Sequence, residues 1–501
     1  MSACIVILSL LAAPAVAAEP EATPAIAAES ASGPEEEVGP VGPDRSAPPV
    51  VAEPDVLDLP EPERHVLSDA VEVLHVRVPG VRKYTVSIMP RHGRAELELG
   101  RHVEAALGWL LDVATEAHDG AELAEIEDLH EVDAWSSLRS HYGMLAVDGP
   151  QEELDLGLEL LRDMVDGPTF PKSDTKRYVK DQELYYLLRG PSQPSDVAGA
   201  LLSYAWFPPD HPYGERPELA QLGSVKSKTM QSAYRDWLDD GPITVLSVGD
   251  MTYADVKPAL EAMLAGHGTA GEPAFEMDCP APTTSRVLAA AMPGQEQVTL
   301  RLRTTAPSRT SDDNVAAWAG SYVFGGHFLS RLNANLREEK GWTYGARASF
   351  SRSTHRGILT VSVDVKSENV AGAVGEIEGE LQRLVDDGVT ESELSLAQRR
   401  LVASWNESLV TADDAHGRYL SAVEDGESVA DRRARYLALA EVRPEDVQRV
   451  AAEHWGADGV RLWVLVGERD AVQAQLDTLG WTAEWVDPTA AILGKVPAAT
   501  P

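Results

Sequence analysis

Arginine, tyrosine and glycine are concentrated in one stretch, GGHFLSRLNANLREEKGWTYGARASF, which runs from Gly325 to Phe350. A guanidinium and a phenol hydroxyl both donate hydrogen bonds to a carbonyl oxygen, or to negative charge that develops on it. Gly325 and Gly326 would let a bound backbone come close, and Gly341 would allow a sharp turn within the stretch. This stretch is therefore the first candidate for a binding site.

The elements that position this stretch belong to an internal repeat. Residues 231–264 and 447–480 share one plan: a helix, a polar turn, an apolar strand that ends in Val-Gly-acidic, and a second helix. Gly249 and Gly467 correspond at an offset of 218 residues, and Gly167 and Gly388 correspond at an offset of 221. Chance similarity of helix-turn-strand units is the alternative, but two nearly equal offsets favour duplication.

The repeat predicts an α+β fold of two homologous domains that form a clamshell. Each half mixes strands with long helices and lacks a strict βαβ alternation, which favours a mostly antiparallel or mixed sheet covered by helices on one face. We place the first domain at residues 66–264, a Gly/Pro/Thr-rich linker at 265–285, the second domain at 286–487 and a tail at 488–501. Alternation of Tyr84, Val86 and Ile88 predicts an early strand.

The N-terminal residues predict export. Residues 1–18 are uncharged with an apolar run and a small-residue end, which is typical of a secretory signal peptide, although a basic start is missing. Residues 19–65 are rich in Pro, Ala and Glu, which predicts a disordered tether. We expect a periplasmic protein without a stable membrane anchor, since the apolar run is about half the length that spans a bilayer.

Composition excludes several partners. The chain has 80 acidic and 43 basic residues, a formal net charge of −37, which argues against nucleic acid and against anionic membrane surfaces. Outside the predicted signal peptide Cys279 is the single cysteine, so no internal disulfide is expected.

With its duplicated plan and the string LREEKGWTYG, the chain resembles the insulinase/pitrilysin family of metallopeptidases over about residues 66–485. The most specific similarity is from Phe324 to Gly345; HPYGERPELAQLGSVKSKTMQSAYRDW is a weaker match. Active members carry an inverted zinc motif, His-x-x-Glu-His, on an early helix, with a later glutamate as third ligand. That motif is absent here. The resemblance places Ala105 and Trp109 at the histidine positions, Gly108 at the glutamate position, and Glu183 near the third ligand.

The resemblance therefore implies a subunit that binds no metal and no other cofactor, with zinc in a partner. In heterodimeric relatives a zinc-bearing subunit pairs with one that contributes an arginine and a tyrosine to grip the substrate, and these positions fall on Arg337 and Tyr344. Alternatively, Arg337 pairs with Glu338 or Glu339, and Tyr344 merely begins a strand.

We expect a non-catalytic subunit of an exported zinc peptidase that acts on peptides or unfolded proteins. The alternatives are a peptide-binding, chaperone-like protein with no enzymatic partner, or a self-sufficient peptidase with displaced ligands. His327 is predicted to be a packing residue.

Overall fold

The strand predicted from Tyr84, Val86 and Ile88 forms, and both of its faces are buried. The computed structural model describes residues 54–97, 99–407 and 411–497. Within β3 (Lys83–Pro90), Tyr84, Val86 and Ile88 point into one apolar core, whereas Met89 joins another. Because side chains alternate between the faces of a strand, the sheet must be covered on both sides. The prediction of a sheet covered on one face is therefore wrong.

Two six-stranded mixed sheets make up the structure, in the orders β1-β2-β6-β3-β5-β4 and β12-β7-β11-β8-β10-β9. The first contains β1 (Glu63–Ser68), β2 (Val71–Arg77), β3, β4 (Asp133–Leu138), β5 (Gly143–Pro150) and β6 (Ile243–Gly249). The second contains β7 (Arg286–Ala291), β8 (Gln297–Ala306), β9 (Ala346–Arg352), β10 (Gly357–Lys366), β11 (Leu462–Gly467) and β12 (Glu484–Val486).

The two sheets repeat a common core of five strands. β2, β6, β3, β5 and β4 follow one another as β7, β11, β8, β10 and β9 do, with the first pair parallel and the others antiparallel in both sheets. Gly249 and Gly467 end the matching strands β6 and β11. The predicted duplication into two homologous α+β domains is thus confirmed. The sixth strand is antiparallel β1 in one sheet and parallel β12 in the other.

The helices of the first half are α1 (Arg101–Leu110), α2 (Gly120–His130), α3 (Leu154–Asp166), α4 (Lys172–Leu184), α5 (Pro194–Trp206), α6 (Ser227–Asp239) and α7 (Tyr253–Met263). Those of the second half are α8 (Asn314–Ser321), α9 (Val370–Asp386), α10 (Glu391–Glu407), α11 (Ala412–Asp425), α12 (Val429–Ala438), α13 (Pro444–His454), α14 (Arg469–Leu479) and α15 (Pro488–Ile492). Short π-helical turns extend α4 (Tyr185–Arg189) and α8 (Tyr322–Gly326), and a third covers Asn333–Glu339.

The two halves exchange one helix each. α5 from the first half packs on β8 and β11 of the second sheet, while α11 from the second half packs on β3 and β6 of the first. On α11, Asp413 accepts a hydrogen bond from Thr85 at 3.0 Å, and His416 Nε2 lies 2.8 Å from Ser87 Oγ. The Arg303 guanidinium of β8 donates to the Leu202 carbonyl of α5 at 3.3 Å. Each half therefore covers a face of the other half's sheet.

The ends of the described chain are packed more closely than the sequence predicted. β1 begins at Glu63, and before it the Leu57 carbonyl accepts a hydrogen bond from Trp405 and the Pro60 carbonyl accepts one from Tyr419. The boundary at residue 66 was thus placed too late, because the last residues of the predicted tether contact the second half. The predicted signal peptide and residues 19–53 lie outside the described residues.

At the other end, the predicted tail 488–501 begins with α15, whose Ala491 and Ile492 are buried in the core around α5. The predicted linker 265–285 lies between α7 and β7 and contains neither helix nor strand. Cys279 within it is buried and unpaired. Among the described residues, we find no helix of the length and apolar character required to cross a bilayer.

Candidate functional site

The resemblance places the zinc helix at α1, and the residues at its three expected positions cannot hold metal. α1 buries Val103, Leu107 and others on one side. Trp109 lies on the opposite side and is 72% exposed. A Cβ placed on Gly108 would lie 2.9 Å from the Leu138 backbone nitrogen, which leaves no room for a glutamate on this backbone. Ala105 offers no ligand atom, so the residues present do not fit a zinc ion.

Neighbouring polar residues do not replace the missing ligands. His102 is buried, with its ring edge-on to Tyr186 at 5.5 Å, and Glu104 is also buried. Burial, reinforced by nearby Glu215, raises the pKa of Glu104 to about 7. Glu183, the nearest candidate for a third ligand, is exposed on α4. Because His102 and Glu104 are buried and Glu183 is exposed, these three residues do not form a metal site.

One cluster in the described part of the chain has metal-like spacing: Asp313, Glu453 and His454. The Asp313 Oδ1 atom already accepts a hydrogen bond from Arg449 Nη2 at 2.6 Å, and His454 Nε2 lies 3.8 Å from Asp313 Oδ2. A carboxylate held by a guanidinium is poorly placed to bind a cation as well. We assign this cluster to an ion-pair network that ties α13 to the start of α8.

Arg337 lies on the π-helical turn Asn333–Glu339 and is partly exposed. Its guanidinium stacks over the Phe328 ring at 4.3 Å, and Nη1 is 3.2 Å from Glu338 Oε1. The predicted alternative, pairing with Glu338, is therefore present in this structure. Such an exposed pair is weak, so the guanidinium can still exchange this partner for another acceptor.

Tyr344 is 92% exposed and precedes β9. It lines a surface cavity of about 900 Å³ together with residues of the β7–β8 turn, the end of β10 and α14, but Arg337 does not line that cavity. Between the two residues, Gly341 has a φ of +65°, a conformation that glycine adopts at no steric cost. The expected sharp turn exists, although the structure does not bring Arg337 and Tyr344 into a common cavity.

The two glycines of this stretch are explained by packing. Gly325 is buried, and a Cβ there would lie 2.5 Å from the Ala348 Cβ atom on β9. A Cβ on Gly326 would lie 2.7 Å from the Tyr322 ring. The predicted close approach of a bound peptide at Gly325 is therefore corrected: its missing side chain lets the π-helical turn pack against β9.

His327 packs as predicted. Its ring stacks on Tyr322 with centroids 4.9 Å apart, and its Nδ1 atom accepts a hydrogen bond from the Leu329 amide at 3.1 Å. Burial lowers the pKa of His327, which favours the neutral ring. Phe328 and Leu329, which follow it, are each 62% exposed. The Arg337 guanidinium therefore lies against an accessible aromatic side chain.

Sequence reasoning missed an inner cavity of about 700 Å³, which lies between residues of both halves. On its wall, His141 Nδ1 is 2.6 Å from Glu96 Oε1, and His141 Nε2 is 2.7 Å from the Tyr213 hydroxyl. The Met277 amide donates to the same hydroxyl at 2.9 Å. This chain of hydrogen bonds connects loops that are far apart in sequence. The one sequence signal was the HPYG string, which contains Tyr213.

Comparisons with known proteins agree with this architecture. Residues 224–401, from α6 to within α10, match the model of the peptidase M16 inactive domain. An uncharacterised zinc protease of Streptomyces coelicolor is 24% identical over 319 residues, which cover 61% of this chain and 67% of that protein.

Two solved structures share the fold. A peptidase M16 inactive domain from Pseudomonas fluorescens superimposes with a TM-score of 0.72 at 18% identity, covering 81% of this chain and 98% of that one. A protease from Helicobacter pylori superimposes with a TM-score of 0.71 at 17% identity, covering 82% of this chain and 100% of that one. At these identities the two structures establish the fold alone.

Proposed function

Because this chain belongs to the insulinase/pitrilysin (M16) family of metallopeptidases and lacks the residues that bind zinc, we propose that it is the non-catalytic, substrate-gripping subunit of a heterodimeric zinc metallopeptidase. The proposal places zinc in a partner subunit of the same family and none in this chain. The substrates are peptides or unfolded proteins. The apolar, uncharged N-terminal residues support export to the periplasm.

One observation carries the proposal. The candidate gripping residues are accessible, whereas α1 has no metal ligands at the positions where active relatives bind zinc. Tyr344 is almost fully exposed, and the side chain of Arg337 is 32% exposed. Both lie within the region that matches the M16 inactive domain. A guanidinium and a phenol supplied from outside can donate hydrogen bonds to a substrate carbonyl held at a partner's metal.

The surface beside these groups suits a protein partner. Phe328, which contacts Arg337, and the following Leu329 are both exposed, and aromatic residues and arginine are enriched in the buried centres of protein interfaces. Association would bury these apolar side chains and separate Arg337 from its weak ion pair with Glu338. The surface that would receive the partner thus carries Arg337, one of the two proposed gripping groups.

The test combines the isolated chain with a zinc-bearing family member encoded beside it. We expect no zinc-dependent peptide cleavage by the chain alone and cleavage by the mixture. Arg337→Ala or Tyr344→Phe should lower kcat/KM of the mixture by roughly 10²-fold, because each removes a donor to developing charge. Arg347→Ala, which removes an exposed arginine of β9, is the matched control and should have little effect.

Zinc-dependent cleavage by the isolated chain would refute the proposal. Peptide binding by the isolated chain, with no turnover in any mixture, would instead favour the chaperone-like alternative. Metal analysis of the purified chain separates both outcomes from a self-sufficient peptidase, which must retain zinc.

A further inference from the structure

The inner cavity is unusually rich in arginine for so acidic a chain. It forms where the β4–β5 turn, the loop after α5, the β9–β10 turn and the end of α11 meet, and its volume is about 700 Å³. Its lining contains no lysine and five arginines, namely Arg94, Arg101, Arg139, Arg352 and Arg356. Arginine recognises planar anions such as carboxylates through a rigid fork of donors.

Three of these guanidinium groups already have partners. Arg356 pairs with Glu276 at 2.9 Å, Arg352 lies over the Trp318 ring at 3.7 Å, and Arg101 Nη1 donates to the Glu215 carbonyl at 2.9 Å. Among the described residues, no carboxylate lies within ion-pair distance of Arg94 or Arg139. These two residues are neighbours, because the Arg94 amide donates to the Arg139 carbonyl at 2.9 Å.

The cavity's other carboxylates have hydrogen-bond or ion-pair partners of their own. Asp425 pairs with Arg309 and Arg432, and Glu424 accepts a hydrogen bond from the Tyr142 hydroxyl. Two more carboxylates lie near the start of α1. Glu215 Oε1 accepts a hydrogen bond from the Arg101 amide, and Glu104 Oε1 accepts one from the Leu99 amide.

Arg94 is partly accessible from the cavity, and burial lowers its pKa, with Arg101 and Arg139 adding to the effect and Glu104 and Glu215 opposing it. The guanidinium groups of Arg94 and Arg139 are therefore close enough to repel each other, and among the described residues neither forms an ion pair.

We infer that this cavity is a binding site for a carboxylate-bearing ligand, which Arg94 and Arg139 hold through charge-assisted hydrogen bonds. A carboxylate between two adjacent guanidinium groups accepts several N–H donors at once and offsets the charge that Arg101 places nearby. The cavity volume lies within the range of ordinary ligand sites. Two sources supply this chemistry: the carboxyl terminus of a peptide and a small dicarboxylic acid.

The experiment is isothermal titration of the full chain with four probes: penta-alanine with a free carboxyl terminus, penta-alanine amide, glutarate and inorganic phosphate. The proposal expects binding of at least one carboxylate probe that weakens as salt is added. Binding of the free peptide but not of its amide assigns the site to a peptide terminus, and binding of glutarate alone assigns it to a small dicarboxylate.

Arg94→Gln/Arg139→Gln should weaken that binding by roughly ten-fold or more for each arginine, the usual effect of losing a charged hydrogen-bond donor. The matched control is Arg82→Gln/Arg177→Gln, which removes the same charge from two exposed arginines that do not line the cavity. An unchanged thermal midpoint shows that both double variants are folded.

Three results would overturn the inference: no carboxylate probe binds, both double variants weaken binding equally, or phosphate binds as tightly as the carboxylates. The titration needs no partner subunit and no turnover. Its outcome is therefore independent of the proposed function, which the reconstituted mixture tests separately.

Discussion

Glu104 shows how one buried residue of α1 couples the fold to pH. The side chain is buried, Oε1 accepts a hydrogen bond from the Leu99 amide at 3.1 Å, and Oε2 has no hydrogen-bond partner. Burial is the main reason that its pKa rises to about 7. In the unfolded chain the carboxyl loses its proton near the ordinary pKa of 4.5, so the folded state keeps Glu104 protonated up to a higher pH.

Glu104→Gln should therefore stabilise the protein in a pH-dependent manner. Below about pH 4.5 both states are protonated and the carboxyl costs little, whereas above about pH 7 the folded state carries the full penalty of a buried charge. We expect the stability gain of the variant to grow by roughly 2–3 kcal/mol between about pH 5 and pH 8. Urea unfolding of both proteins at the two pH values measures it, and a gain independent of pH would contradict the assigned titration.

At the scale of elements, α11 is held on the first sheet by polar contacts as well as by apolar packing. His416 is buried, its Nε2 atom lies 2.8 Å from Ser87 Oγ, and burial lowers the pKa of His416 to about 4. In the unfolded chain the same ring protonates near pH 6.5. The docking of this helix should thus be sensitive to acid.

His416→Gln should reduce the loss of stability in acid. The stabilising effect of the neutral histidine is complete above about pH 6.5 and disappears progressively as the pH falls towards 4. We expect the wild type to lose roughly 2–3 kcal/mol more than the variant between about pH 7 and pH 4.5. Equal losses in the two proteins, measured by urea unfolding, would show that His416 is not the titrating group. Glutamine is the appropriate replacement because it can keep a hydrogen bond to Ser87.

The sequence predicted the elements better than it predicted their neighbours. Alternation identified β3, and the repeat identified the matching strands that end at Gly249 and Gly467. The sequences of α5 and α11 do not indicate that each helix covers the other half's sheet. The periodicity of a helix shows which of its faces is apolar, but not which element packs against that face.

The candidate site was predictable only in part for a similar reason. A motif such as LREEKGWTYG identifies Arg337 and Tyr344 by residue type and order, and the missing ligands at Ala105, Gly108 and Trp109 can be read directly. Arg94 and Arg139 are 45 residues apart in sequence and carry no motif. They become a pair only because the loop after β3 lies beside the β4–β5 turn.

At the scale of the whole molecule, the helix exchange should hold the two halves together without a covalent connection. The peptide bond between Ala270 and Gly271 lies in an exposed segment. We expect residues 54–270 and 271–497, expressed together as separate chains, to copurify as one complex, because α5 and α11 bury apolar sheet faces reciprocally. Expressed alone, each piece should aggregate.

Size-exclusion chromatography and unfolding curves distinguish these outcomes. A soluble, cooperatively unfolding monomer of residues 54–270 alone would contradict the expectation. The uncut chain is the control for the stability of the reassembled complex.

The exchange of helices also sets an order of events during synthesis. The first sheet is complete once β6 ends at Gly249, but α11, which covers its second face, begins only at Ala412. At a translation rate of roughly 5–20 residues per second, that face stays uncovered for about 8–30 s after the last strand is made. During this interval the nascent chain exposes the apolar side chains Leu74, Val76, Leu246 and Val248, which makes it a natural client for a chaperone before it is a folded protein.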